Sequence, residues 1–337
     1  MKNTNQKKIQ IIFQKCNTAI CILFKNKNGL SFILKSIIVL SIHLSIFSTI
    51  SIHANEKLKI VVTTTDLKYL AEQIGGDKVE VESMIRGFDD PHFVMTRPDF
   101  LLKLNRANVF CMIGLDLEIG WVPLLLEQSR NSLIQKGQNG YCDASIGINI
   151  LGKPTVSVDR SMGDLHIYGN PHYWLDPVNM IQMGFNILNN LSLVDPENES
   201  YYKSNFVKFR SRMTELVKSE MRKMQPYFGI KVAVFHQEFV YLAERFKFNS
   251  NLSIEERPGI PPSSRYLENV IKTMNAQGIK IILISPVNNP KYAEYVASKV
   301  NGAKVLVMPT SVGALPEAKT YEDCIQIMLQ RIRDASE

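Results

Sequence analysis

A long amphipathic helical pattern between Asp195 and Gln225 restricts the fold more than any other feature of this sequence. Asp195 is a good N-cap, Pro196 suits the first helical position, and the pattern stops before Pro226. About 30 helical residues at roughly 1.5 Å each form a rod of about 45 Å. Its apolar residues recur at spacings of four and three, which places them in one stripe: Tyr202, Phe206, Phe209, Met213 and Leu216. The pattern predicts a rigid spine between two parts of the chain.

Short β-rich runs alternate with helical patterns on both sides of this spine. Before it, strands are predicted at Lys59–Thr64, Val79–Ile85 and Asn108–Ile113, and helices at Leu67–Ile74, Pro98–Arg106 and Ile119–Gln128. After it, strands are predicted at Lys231–Phe235, Asn251–Ile254, Lys280–Ile284 and Lys304–Met308, and helices at Phe239–Arg245, Arg265–Gln277, Pro290–Val300 and Tyr321–Arg333. Such alternation favours parallel β-α units. We therefore predict an α/β fold of two lobes, residues 55–194 and 226–337, joined by a helix over 195–225. A helical solenoid is the alternative, but the sequence shows no repeat of the required period.

The first 54 residues differ in composition from the rest of the chain. They contain seven lysines and no acidic residue, and the remaining 32 basic residues equal the 32 acidic ones, so the net charge of +7 belongs to this leader. An uncharged apolar stretch, Ser36–Ile52, is followed by Ala54, which predicts an export signal cleaved after that residue. An uncleaved membrane anchor is the alternative, because the stretch is just long enough to span. No basic stripe remains that would predict nucleic-acid binding.

Three cysteines follow the leader: Cys111, Cys142 and Cys324. This number is too small and uneven for a disulfide framework, although one pair could form in an oxidising compartment. Cys111 lies in an apolar run, which predicts a buried structural residue.

Four histidines also follow the leader, and three of them have a context that suggests metal binding. His92 follows Asp-Pro and His172 follows Asn-Pro, each in a loop. His236 ends an apolar strand in the second half of the chain. Neutral imidazole is the commonest metal-binding side chain, and zinc prefers a tetrahedral shell. We therefore expect these three residues to bind one ion in the cleft between the lobes, with the fourth position left to a carboxylate or water.

These motifs carry a family resemblance that covers essentially all of the chain from Leu58 onward. The segments G-F-D-D-P-H-F-V-M-T-R-P-D and N-P-H-Y-W-L-D-P, and the histidine after K-V-A-V-F, occur in this order around a long helix. In these features the chain resembles the zinc and manganese solute-binding proteins of bacterial ABC importers. The resemblance implies two α/β lobes on a rigid helical backbone, with His92 and His172 supplied by the first lobe and His236 by the second. A histidine at the third position implies zinc, and manganese is the weaker expectation.

The chain departs from the family pattern at the fourth ligand. Members commonly supply an aspartate there, and this chain has Thr310. Glu255 or Glu256, which follow a strand of the second lobe, could reach the cleft instead; the alternative is a surface pair beside Arg257. A histidine-rich acidic loop is also absent, and only Asp164 and His166 resemble it as accessory residues. Asp176 is expected to cap a helix and could also bond a ligand imidazole, while Tyr241 and Trp174 are expected to pack near the cleft.

The leading functional prediction is a non-catalytic, monomeric periplasmic protein that captures zinc and delivers it to an ABC permease in the inner membrane. A secreted zinc hydrolase is the rival, since three histidines with an open position also describe a catalytic site, and Glu238 is its one candidate base. The absence of an H-E-x-x-H motif and the spread of the ligands over two lobes favour capture. A metal-binding adhesin or metallochaperone on the same fold is a third possibility.

Overall fold

The first lobe is built on a four-stranded parallel sheet. The computed structural model describes residues 56–154 and 166–337, so the predicted export signal and Asp164 lie outside the described residues. The strands are β1 (Leu58–Val62), β2 (Val79–Ser83), β3 (Val109–Met112) and β4 (Tyr141–Asp143). Their order is β2-β1-β3-β4, and every neighbouring pair is parallel. Three strands match predicted runs, whereas β4 falls in a stretch whose sequence is turn-rich.

The second lobe repeats this topology. Its strands are β5 (Lys231–Val234), β6 (Asn249–Ser253), β7 (Ile281–Ile284) and β8 (Lys304–Val307). Their order is β6-β5-β7-β8, again with every pair parallel. All four predicted runs are strands, and β6 begins two residues earlier than predicted. The predicted α/β class with two parallel sheets is confirmed.

Helices cover both faces of each sheet. They are α1 (Thr65–Gly75), α2 (Pro98–Arg106), α3 (Val122–Gln128), α6 (Val240–Phe246), α7 (Ser264–Gln277), α8 (Pro290–Ser298) and α9 (Tyr321–Ser336), besides the spine helix and the helix packed against it. All four residues of β7 are buried, as expected of a parallel strand covered on both sides. Helix α3 begins three residues later than predicted, because residues 116–121 form turns in which the Ile119 amide donates to the Asp116 carbonyl and the Trp121 amide to the Glu118 carbonyl. None of the helices in the described part of the chain is both long and apolar enough to cross a bilayer.

The predicted spine, residues 195–225, corresponds to one long helix, and the helix before it packs against it. Helix α4 (Pro177–Val194) leads into a short 3₁₀ turn, and α5 (Glu199–Met224) follows it. The Asp195 carboxylate accepts hydrogen bonds from Asn198 Nδ2 at 2.7 Å and from Tyr202 Oη at 2.6 Å. The α-helix starts three residues after Pro196, the predicted first helical residue, because Pro196–Asn198 form the 3₁₀ turn. With 26 residues, α5 is about 39 Å long. The predicted apolar stripe is confirmed, since all five of its residues are buried.

One apolar core runs through both lobes and the spine. It contains Val62 of the first sheet, Leu283 of the second, Met180 of α4, Phe209 of α5 and Ile325 of α9. Two smaller cores fill the outer faces of the two sheets. Because the interior of a protein is close-packed, a core shared in this way resists movement of one lobe against the other.

Candidate metal centre

Three imidazoles converge between the carboxyl ends of the two sheets. The side chains of His92, His172 and His236 each offer a ligand nitrogen, and these atoms lie within 4.8 Å of one another. The ring centroids are 5.2 Å apart for His92 and His172, 5.7 Å for His92 and His236, and 5.1 Å for His172 and His236. The structure thus brings together the three histidines that the sequence predicts as ligands, one after β2, one after β4 and one after β5.

Asp90 and Asn170 each fold back onto the histidine two residues later. Asp90 Oδ1 accepts from the His92 amide at 2.9 Å and lies 2.8 Å from His92 Nδ1. Asn170 Oδ1 accepts from the His172 amide at 2.9 Å and lies 3.0 Å from His172 Nδ1. A proline between the partners fixes φ in both segments, so each Asx-Pro-His tripeptide is a preset turn. Both rings are therefore oriented by their own local sequence.

The third imidazole is oriented by a residue of a neighbouring strand. Glu255 Oε2 lies 2.8 Å from His236 Nδ1. His236 follows β5 and Glu255 follows β6, the strand paired with it, and the Glu255 amide donates to the Phe235 carbonyl at 3.0 Å. An oxygen acceptor at Nδ1 holds the proton on that nitrogen and leaves Nε2 with a free lone pair. All three imidazoles have this arrangement, so all three Nε2 atoms suit a cation.

Burial keeps the central imidazole neutral. His172 is 4% exposed, and burial lowers its pKa well below the ordinary value; positive charge on the neighbouring histidines would lower it further. His92 Nε2 is buried and has no hydrogen-bond partner. A buried nitrogen with an unused lone pair is the group that a metal ion satisfies.

Glu255 and Glu256 occupy different environments. Glu255 contacts His236 Nδ1, the ring nitrogen that faces away from the point where the three imidazoles converge. A carboxylate in this position orients the imidazole. Glu256 is exposed and accepts a hydrogen bond from Ser263 Oγ at 3.5 Å. Direct metal ligation by either glutamate stays a prediction.

Thr310 and Trp174 complete one wall. Thr310 lines the same small cavity as the three imidazoles, with an internal volume of about 60 Å³, and it is buried. Its carbonyl accepts from Trp174 Nε1 at 2.9 Å, and the indole lies 5.2 Å from the His172 ring. Trp174 therefore packs at the cleft, as predicted, and it holds in place the strand end where the family resemblance would put a carboxylate.

Glu238 is a further acidic residue of this cavity. It is buried, its Oε1 has no hydrogen-bond partner, and burial raises its pKa to about 8. From the sequence, Glu238 is predicted only as the candidate base of a hydrolase. The tight turn after His236, in which the Glu238 amide donates to the His236 carbonyl at 2.8 Å, directs it here, and no sequence pattern signals that turn.

His166 lies beside the three imidazoles but outside their convergence point. Its ring is 5.3 Å from that of His92, and its Nε2 is buried without a partner. Burial lowers its pKa to about 3, and the Asp116 carbonyl, which bonds the ring, opposes this shift. His166 and His92 both border a second, larger cavity of about 530 Å³. An accessory role for His166 stays a prediction.

The remaining predicted residues have structural contacts. Asp176 caps α4, accepting from the Val178 amide at 2.9 Å, and pairs with Arg245 through two contacts of 2.8 Å. Tyr241 Oη donates to the Asn170 carbonyl at 2.7 Å and accepts from the Leu151 amide at 3.0 Å. These contacts brace the loop that carries His172.

The cysteines lie away from the imidazoles. All three described cysteines are buried and free, and Cys111 pairs in register with Cys142 across β3 and β4. Burial raises the pKa of Cys111 well above its ordinary value, so its thiol stays protonated and unreactive. The predicted structural role of Cys111 fits this environment.

Comparisons with known proteins agree with this architecture. A zinc-uptake system protein, ZnuA of Bacillus subtilis, is 24% identical over 287 residues, which are 83% of this chain and 88% of that protein. The manganese ABC transporter substrate-binding lipoprotein PsaA of Streptococcus mitis is 26% identical over 176 residues, and the metal ABC transporter substrate-binding lipoprotein SloC of Streptococcus mutans is 29% identical over 174 residues. The chain spans about half the length of these two streptococcal relatives.

Solved structures share the fold. A crystal structure of ZnuA covers 84% of this chain and 100% of its own, with a TM-score of 0.71 and 24% identity. A periplasmic metal-binding protein from Candidatus Liberibacter asiaticus covers 83% of this chain and 99% of its own, with a TM-score of 0.68 and 22% identity. Residues 60–335 match the family described as ZnuA, zinc-uptake complex component A, periplasmic. The predicted resemblance is thus confirmed, and the chain belongs to the ZnuA family of substrate-binding transport proteins, which are not enzymes.

Proposed function

We propose that this protein captures a divalent transition metal between its lobes and delivers it to the permease of an ABC importer. The observation that carries the proposal is the group of three buried or half-buried imidazoles with ligand nitrogens within 4.8 Å of one another. Each ring has an oxygen acceptor at Nδ1, so no rearrangement of tautomers is needed before a cation binds. We propose His92, His172 and His236 as its ligands.

The donor set favours zinc over manganese. Imidazole nitrogens suit zinc, whereas manganese prefers carboxylate, carbonyl and water oxygens. Relatives of the chain include proteins named for each metal, so likeness of sequence does not choose between them. The choice rests on three nitrogen ligands and on Thr310 in the position where a carboxylate is expected.

A transport role accounts for the site better than hydrolysis does. The chain belongs to a family of binding proteins, and Glu238, the candidate base of a hydrolase, is only 5% exposed. The proposed ligands come from both lobes around one small cavity, which suits holding an ion as cargo. We propose that the protein works as a monomer, with the permease and its ATPase as partners.

We also propose that the protein acts outside the cytoplasm. The basic leader, the apolar stretch Ser36–Ile52 and the small residue Ala54 support export and cleavage. Mass spectrometry of periplasmic material should find an N-terminus near Asn55. A full-length product confined to the membrane fraction would contradict this part of the proposal.

Calorimetric titration of the chelator-stripped protein with zinc and manganese tests the main proposal. We expect one strong zinc site, weaker manganese binding, and loss of most zinc binding in His172→Ala. Lys208→Ala, on the exposed side of α5, is the control and should bind as the wild type does. Absence of any saturable site for either metal in the folded wild-type protein would overturn the proposal.

A further inference from the structure

Glu238 is a buried acidic group in the metal cavity that has no cationic partner. The residue is 5% exposed and lies in the tight turn between β5 and α6, two residues after His236. Its Oε1 is buried and accepts no hydrogen bond. The Ser285 hydroxyl lies beside the carboxylate but donates to Asn288 Oδ1 at 2.9 Å. No lysine or arginine of the described residues forms an ion pair with it.

The charges that face Glu238 increase the need for a cation. Asp90 and Glu255 line the same cavity and raise the pKa of Glu238, whereas His92 lowers it. Burial opposes the ionised form of this side chain unless a cation lies beside it. A divalent ion at the convergence point of the three imidazoles would supply the missing positive charge.

The rest of the cavity lacks a free anionic group, and Glu238 lies where it could supply one. Glu238, Thr310 and the three imidazoles all line the one cavity of about 60 Å³. Thr310 offers no anion at the family's usual fourth position, and Glu255 is engaged at His236 Nδ1. Of the cavity's acidic side chains, Glu238 therefore has a buried oxygen that is still unused.

We propose that Glu238 is the anionic fourth ligand of the metal and takes the place of the carboxylate lost at Thr310. This inference rests on the proposed function. The carboxylate lies outside the 4.8 Å group of imidazole nitrogens, so binding requires its side chain to turn from Ser285 toward them. The resulting shell of three nitrogens and one carboxylate oxygen is a common one for zinc and gives the complex one negative charge from the protein.

Zinc titration of Glu238→Gln tests this assignment. The substitution removes the charge and keeps the size of the side chain, and we expect the zinc Kd to rise at least about 100-fold, beyond the usual 10- to 100-fold effect of an outer-shell residue. Glu244→Gln, at an exposed glutamate on α6, is the matched control and should leave the Kd unchanged. Adding Thr310→Asp to Glu238→Gln should restore most of the affinity, because it returns a carboxylate to the cavity wall.

The outcomes separate this inference from the proposed function. If the wild type binds zinc and Glu238→Gln binds it equally well, Glu238 is not a ligand and the proposed function stands. If the wild type binds no metal, both fail. A zinc-loaded crystal structure, with the ion located by anomalous scattering, needs no variant: a Glu238 oxygen at about 2.0–2.2 Å from the ion supports the assignment, and a water in that position overturns it.

Discussion

The side-chain amide nitrogen of Asn170 donates to the backbone carbonyl of Gln237 at 2.5 Å. The oxygen of the same amide faces His172 Nδ1 at 3.0 Å. Gln237 directly follows His236, so one side chain of the first lobe connects two of the proposed ligands. Because its nitrogen is committed to Gln237, the amide can present only its oxygen to His172, and this fixes the tautomer of that ring.

Removal of the Asn170 side-chain amide should therefore weaken metal binding, although Asn170 itself is not a proposed ligand. We expect Asn170→Ala to raise the zinc Kd about 10- to 100-fold, the usual effect of losing a residue that orients a metal-binding histidine. Asn170→Asp should fall between this variant and the wild type, because it keeps the acceptor for His172 but loses the donor to Gln237. Asn275→Ala, whose amide bonds only a carbonyl of its own helix, is the control. Equal zinc affinity of Asn170→Ala and the wild type would refute the orienting role.

The parts of the site that the sequence predicts are those set by local structure. Each Asx-Pro-His tripeptide holds its own imidazole, so His92 and His172 stand out in the sequence, and His236 stands out as the end of an apolar strand. The roles of Glu255 and Glu238 depend on the pairing of β6 with β5 and on a tight turn, and neither leaves a periodic pattern. Strand β4 escaped prediction for a similar reason, since three residues at a sheet edge are too few to show an alternation.

Zinc binding should weaken with acid, because the ligand imidazoles must be neutral and protons compete with the ion. Unperturbed histidine titrates near 6.5, so titrations at pH 7.5 and 5.5 should differ clearly. Burial holds the pKa of His172 well below its ordinary value, and that ring has no proton to release in this range. The slope of log Kd against pH should therefore stay below three.

Calorimetry in buffers of different ionisation enthalpy measures how many protons the protein releases when it binds zinc. Release of three protons per zinc would contradict a neutral His172, and equal affinity at both pH values would mean that imidazoles are not the ligands.

Stability without metal should fall as pH rises, partly because of Glu118. Its carboxylate accepts from Thr63 Oγ1 at 2.7 Å, from the Ile113 amide at 2.8 Å and from the Gly114 amide at 3.0 Å, and burial raises its pKa to about 7. The folded chain thus binds this proton more tightly than the unfolded chain, whose pKa is near 4.5. The stabilisation is fully present below about pH 4.5 and is lost as pH rises through about 7.

Urea unfolding in the presence of a chelator checks this. The wild type should be more stable at pH 6.5 than at pH 8. Glu118→Gln should lose about 1–3 kcal/mol at pH 6.5, because its amide would face a backbone donor, and its stability should change less between the two pH values. Glu215→Gln, an exposed substitution on α5, should behave as the wild type. An undiminished pH dependence in Glu118→Gln would show that other groups cause it.

Substitution of a proposed ligand should weaken zinc binding more than substitution of Glu255, the carboxylate that orients His236. His92→Ala, His172→Ala and His236→Ala should each abolish most zinc binding, since each removes one of the nitrogens that lie within 4.8 Å of one another. Glu255→Gln should cost about 10-fold, because an amide oxygen can still accept from His236 Nδ1 but without the charge. Thr310→Ala should cost little, as a neutral hydroxyl is a poor zinc ligand.

Competition titration against a chromophoric chelator measures all of these variants on one scale. Glu255→Gln and Glu256→Gln should be compared in this titration, since Glu255 contacts His236 and the adjacent Glu256 is exposed. An equal loss on both would reflect the general charge of the region and not the contact with His236. If Thr310→Ala abolished binding while the three histidine variants retained it, the ion would lie elsewhere in the cavity, and the assignment of all three imidazoles would be wrong.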